Sequence, residues 1–141
     1  MALNIPLSCA TSSLNPFPAA TDPPHDLVSK LHAIAHADFK GIELAFPDLL
    51  AYTRQRLGRE VASDSWDELC TVGREIKTLC HDLGLEIIML QPFSNFEGWP
   101  RGSMERDDAF RRAAGWIEIM QATGTDMLQV RKPGRICIGG E

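Results

Sequence analysis

The sequence predicts an α/β fold of parallel βαβ units, about four strands with three main helices. Three observations lead there. Short apolar runs of strand type alternate with stretches whose apolar residues recur at helical spacing. Long, irregular connections follow the strands, whereas each helix returns to the next strand through a short turn. The alternation stops after about four units, where a closed barrel needs eight. The pattern so far is about half of what a (β/α)8 barrel needs. Its loop asymmetry marks one rim, because in such folds the connections at the carboxyl ends of the strands carry the chemistry.

The first strand is Ile5–Ala10, with Pro6 near its start because proline cannot donate to a ladder. Residues 11–25 are rich in Ser, Asn and Pro and read as a loop. Asp26 is placed to cap a helix over Leu27–Ala37, whose residues Leu27, Leu31, Ile34 and Ala35 share one face. The turn Asp38–Gly41 leads into a second strand, Ile42–Phe46, interrupted by the carboxylate of Glu43. The longest connection, 47–64, contains a helical piece (Leu49, Leu50, Tyr52, Leu57) that stops at Gly58. Asp64 or Ser65 caps a strong helix over Trp66–Leu83, with Leu69, Val72, Ile76, Leu79 and Leu83 inward and Gly84 as its stop.

Leu85–Leu90 is the clearest strand, a continuous apolar run of the kind buried on both faces of a parallel sheet. Its loop, 91–100, mixes aromatic and polar groups. Ser103 caps a helix over Met104–Thr123, with Phe110, Ala113, Ala114, Ile117 and Met120 expected inward. Glu105, Asp107 and Asp108 suit the positive end of its dipole. A fourth strand, Asp126–Val130, follows Gly124. Residues 1–130 thus form one domain, and 131–141 read as an irregular tail.

The chain has 141 residues, 44% of them hydrophobic, and a net charge of −5. That suffices for one domain with its own core. The acidic balance gives no electrostatic reason for a nucleic-acid partner, since Arg131, Lys132 and Arg135 make only a small basic cluster. No apolar run approaches the ~20 residues of a membrane helix. The N-terminus lacks a basic n-region and a long apolar stretch, so no secretory signal is expected, and the compartment expected is cytoplasmic. Cys9, Cys70, Cys80 and Cys137 form no C-x-x-C pair and read as reduced thiols.

Four segments together resemble a known family. They are Gly41-Ile42-Glu43-Leu44, the run Ile87–Phe93 with Glu97-Gly98 behind it, Trp116-Ile117-Glu118, and Thr125–Val130. In this order they resemble the xylose isomerase-like TIM barrels, or sugar phosphate isomerase/epimerase domains. Among these the pattern is similar to the fungal 3-dehydroshikimate dehydratases, where a G-x-E-L strand precedes an L-Q-P-F strand and an acidic–glycine loop. The resemblance spans residues 3–130 and implies the N-terminal half of an eight-stranded barrel. It implies a divalent metal, Mg or Mn, at the carboxyl face in the full-length family. There the metal polarises an oxygen of a small polyhydroxy or sugar-like substrate while a nearby base moves a proton. The Glu, Asp, His and Glu ligands of such barrels come from about the fifth strand onward, so none is carried onto this chain. The resemblance therefore implies a metal-dependent isomerase or lyase whose metal-holding half is not matched here, with no tight metal binding and little activity by this chain alone. The alternative is a non-catalytic half-barrel that binds a ligand or forms a homodimer through its open edges.

The candidate substrate-binding residues are Glu43, Gln91, Phe93, Glu97 and Arg101. Glu43 in an apolar strand either faces substrate at the barrel mouth or pairs with a cation. Gln91, at a strand end, either bonds substrate hydroxyls or caps its own loop. Phe93, with Phe96 and Trp99, lines a pocket or packs over the mouth. Arg101 either clamps a substrate carboxylate, with Glu97 on the same loop, or stays solvated. His32 and His36 have chelating spacing but lie on an outer helix. His25 is the histidine nearest the catalytic end, and His81 sits by a helix C-terminus.

Overall fold

Four parallel strands lie side by side in chain order, β1-β2-β3-β4, in a single sheet. The computed structural model describes residues 5–14 and 25–131. The strands are β1 (Ser8–Ala10), β2 (Gly41–Ala45), β3 (Glu86–Ser94) and β4 (Leu128–Arg131). The helices are α1 (Leu27–His36), α2 (Phe46–Leu57), α3 (Trp66–Asp82) and α4 (Met104–Thr123), and Thr11–Leu14 form a 3-10 turn. The parallel α/β architecture is the one expected, with four helices where three main ones were anticipated. The helical piece after β2 is a full helix: Pro47 stands in its first turn, where its missing N–H costs nothing, and Gly58 ends it in the left-handed conformation. Of the segments read as loop and tail, residues 15–24 and 132–141 lie outside the described residues.

The first strand is shorter than the sequence suggests. Only Ser8–Ala10 pair with β2, while Ile5 and Leu7 are exposed ahead of it. Helix α1 starts where its cap dictates: the Asp26 carboxylate accepts from the Ser29 backbone N–H at 2.7 Å. Leu27, Leu31 and Ile34 are buried, as the spacing requires. Lys30 is buried with them, only 1% exposed, and its Nζ donates to Asp48 Oδ1 at 2.8 Å. This ion pair joins α1 to the first turn of α2. The Thr11 hydroxyl accepts from the Ala45 N–H at 3.0 Å, tying the end of β1 to the end of β2.

Ile42 and Leu44 of β2 oppose Ile87 and Leu90 of β3, and all four are buried. With Leu49, Leu69, Val72, Ile76 and Ile119 they form the core between sheet and helices. Successive strand residues point to opposite faces, so Glu43, opposite Met89, projects from the other side of the sheet. Strand β3 runs on through Pro92 to Ser94, past the apolar run, and its register shifts both against β2 and against β4.

Helix α3 buries Leu69, Val72 and Ile76 as expected, while Leu79 and Leu83 are only half-buried. Ser65 is its N-cap residue but makes no side-chain cap bond. Helix α4 has the predicted ends. The Ser103 hydroxyl accepts from the Arg106 N–H at 3.2 Å, and Gly124 closes it with φ 80°. Its buried face is only partly the predicted one, with Ala113 and Met120 half-buried against the core. Ala109, Gly115, Trp116, Ile119 and Ala122 are inside, whereas Phe110 and Ile117 are 53% and 51% exposed and Ala114 is also exposed. Small residues set this rotation. A Cβ on Gly115 would stand 2.3 Å from the indole of Trp66, and one on Gly73 would stand 3.2 Å from Thr123, so α3 and α4 meet backbone to side chain.

Candidate active site at the carboxyl ends of the strands

The carboxyl ends of β2 and β3 bring two of the expected residues together. Gln91 Nε2 donates to Glu43 Oε2 at 3.0 Å, from adjacent strands and across 48 positions of sequence. The register supplies the reason: Ala45 lies opposite Gln91, Glu43 lies opposite Met89, and both polar side chains leave the sheet on the face turned away from the helices. Gln91 is 9% exposed and Glu43 half-buried. The Gln91–Pro92 peptide is cis. One carboxylate oxygen of Glu43 is thus occupied and held in place. Its other oxygen, and the remaining amide groups of Gln91, are available for a ligand's hydroxyls. No lysine or arginine pairs with Glu43 among the described residues.

Cys9 is the other titratable neighbour. Its thiol is pushed up, first by burial and then by the nearby charge of Glu43. Cys70 is likewise raised, mainly by burial, and burial alone pushes Cys80 up to about 12. These thiols are not activated nucleophiles.

Phe93 does not join Glu43 and Gln91. Its ring is 1% exposed and sits on the helix side of the sheet, 5.0 Å from the Trp116 ring and 5.7 Å from that of Phe96. Glu97 and Arg101 are exposed on the connection from β3 to α4, and neither is bonded to Glu43 or Gln91. His25, His32, His36 and His81 are all exposed.

Arg112 carries no sequence signal of its own, yet it organises this loop. Its Nη1 and Nη2 donate to the carbonyls of Ser94 at 3.1 Å and Asn95 at 2.9 Å, and its Nε donates to Asp108 at 2.9 Å. The Trp99 indole donates to the same Asn95 carbonyl at 3.0 Å, and Asn95 is left-handed with φ 58°. The loop bearing Glu97 and Arg101 therefore leaves β3 from a fixed start. Lys30 was missed as well, although its place between Leu27 and Leu31 in the apolar stripe of α1 was a signal that could have found it.

Among the described residues, no group of three or more His, Cys, Asp or Glu side chains is placed to hold a metal ion. The donor set here does not fit a divalent-metal centre. No helix among the described residues is long and apolar enough to cross a membrane.

A family model described as xylose isomerase-like TIM barrel matches residues 31–140. A Pseudomonas aeruginosa protein named 3-dehydroshikimate dehydratase is 38% identical over 104 residues, which are 74% of this chain and 13% of that protein. A Neurospora crassa protein of the same name is 31% identical over 109 residues, 75% of this chain and 30% of that one. The chain thus spans less than a third of the length of these relatives. A solved xylose isomerase-like TIM barrel/4-hydroxyphenylpyruvate dioxygenase fusion protein superposes with a TM-score of 0.61 at 32% identity, covering 87% of this chain and 15% of that chain.

Proposed function

Because the chain belongs to the xylose isomerase-like TIM barrel family, we propose that it forms the substrate-facing part of a 3-dehydroshikimate dehydratase-like site. The observation that carries this reading is the Gln91–Glu43 hydrogen bond at the carboxyl ends of two barrel strands. A carboxylate oriented by an amide is an acceptor for a ring hydroxyl, and the amide's second N–H and its carbonyl can read a neighbouring hydroxyl. Arg101, exposed on the connection from β3 to α4, is the group for a substrate carboxylate, with Glu97 on the same loop. In such a lyase step a C–H and a C–O bond break, a C=C bond forms, and water leaves. This chain contributes binding and orientation to that step. The Mg or Mn ion implied by the resemblance has no donor set among the described residues.

The test is calorimetry of the 141-residue chain with 3-dehydroshikimate. Binding with Kd on the order of 1 mM is expected, weakened at least about tenfold in Glu43→Ala, without turnover when Mg²⁺ or Mn²⁺ is added. Binding unaffected by Glu43→Ala overturns the reading. So does tight metal binding that Glu43→Ala abolishes.

A second reading, a non-catalytic half-barrel that self-associates, is favoured by one observation. Ile5 and Leu7 beside β1, and Met127 and Val130 at β4, are large apolar residues exposed along the two outer strands. A sizing column decides it: a clean monomer of 15.6 kDa excludes it.

A further inference from the structure

On the helix side of the sheet, away from Glu43 and Gln91, a cleft of about 320 Å³ opens between the end of β3, the start of α3 and the middle of α4. Its walls are aromatic. Phe46 stacks on Trp116 with centroids 4.6 Å apart and planes 18° apart, Phe93 meets the same indole at 56°, and Trp66 lies along Gly115. Its mouth is polar, with Ser63, Asp64 and Arg111. Small-ligand sites combine these two features: an apolar, largely aromatic interior of at least ~300 Å³ and a few polar groups at defined points.

The charges at the mouth are not equally committed. Arg112 spends its guanidinium on Ser94, Asn95 and Asp108. Arg111 is half-exposed; its Nη2 donates to Asp108 at 2.8 Å, but its Nη1 reaches Asp64 only at 3.4 Å, long for a hydrogen bond. That edge of the guanidinium is held loosely and faces the cleft with an ion partner that an incoming anion can replace.

We propose that this cleft binds a small planar aromatic carboxylate, its ring against the partly exposed faces of Trp66 and Phe46, over the buried Trp116, and its carboxylate on Arg111. Flat walls select a flat ring. The volume admits one ring with one or two small substituents. The guanidinium selects a carboxylate over a neutral amide by charge, with Nη1 donating to a carboxylate oxygen while Nη2 stays on Asp108. Asp64, released from Arg111, accepts from a hydroxyl on the ring.

The test uses the whole chain with benzoate as probe and benzamide as its neutral counterpart, followed by ¹⁵N–¹H spectra. Benzoate is expected to shift the indole signals of Trp66 and Trp116 saturably, with Kd on the order of 1 mM, and to leave Trp99 unmoved. Benzamide, and benzoate with Arg111→Gln, should each bind about tenfold more weakly or worse. No saturable shift by about 20 mM overturns the proposal, as does equal binding of benzamide. Should Arg111→Gln fail to fold, the wild-type shift map decides alone: perturbation centred away from Trp66 and Trp116 overturns it.

Discussion

Trp66 fills the space that any side chain at position 115 would need. A Cβ there would stand 2.3 Å from one ring atom of the indole and 2.4 Å from another. A glycine in the middle of a helix costs about 0.5–1 kcal/mol relative to alanine, so α4 carries this one for packing. Gly115→Ala is therefore expected to destabilise the protein by about 1–3 kcal/mol despite its better helix propensity. Urea denaturation followed by circular dichroism measures it, and a stabilised variant would show that the ring moves aside freely.

The Lys30–Asp48 pair, buried between α1 and α2, makes a different prediction. Asp48→Ala leaves an ammonium inside the protein and should cost about 3 kcal/mol or more. The double variant Lys30→Met/Asp48→Leu should lose less than the two single variants together, because it removes the buried charges as a pair. Thermal denaturation of the single and double variants distinguishes this from simple additivity.

Asp26 gives one part of the pH dependence, shared with Asp38 and Asp108, whose carboxyls are also held down by Lys40 and by Arg111 and Arg112. The Asp26 carboxyl is held below the ordinary value first by the Ser29 backbone N–H and then by the Ser29 side chain. A depressed folded-state value contributes stability that is present above the unfolded value, about 4, and is lost as pH falls through the folded one. Melting temperature should therefore drop below about pH 4, and less so in Asp26→Asn, which keeps the cap and removes the titration. Asp26→Ala should lose about 1 kcal/mol at neutral pH.

Arg112 predicts local rather than global change. Arg112→Ala removes two donors to the carbonyls of Ser94 and Asn95 and the cation over the Phe93 ring. Amide exchange over residues 94–99 should accelerate, by an opening free energy lowered about 1–2 kcal/mol, while β2 and α1 stay protected. Uniform acceleration along the chain would mean that Arg112 supports the whole core instead.

Much of the fold was legible because its punctuation is chemical. Asp26, Ser103, Gly58 and Gly124 mark helix ends through groups that satisfy or relax the backbone, and those ends stand where expected. The inward face of α4 was not legible in the same way. Counting large apolar residues selects Phe110 and Ile117, but close approach to α3 is decided by what is small, at Gly73 and Gly115. The placement of Glu43 and Gln91 could be anticipated from strand ends. The role of Arg112 could not, since it depends on which carbonyls a loop presents after folding.

The strands sit in the sheet in the order in which they are synthesised, and each pairs with the one made just before it. A chain emerging from the ribosome can therefore add each βα unit to a template already in place, without holding a strand in reserve for a distant partner. Each pairing closes only a single βα unit, the shortest connection a parallel sheet allows, so no strand waits exposed for a remote partner.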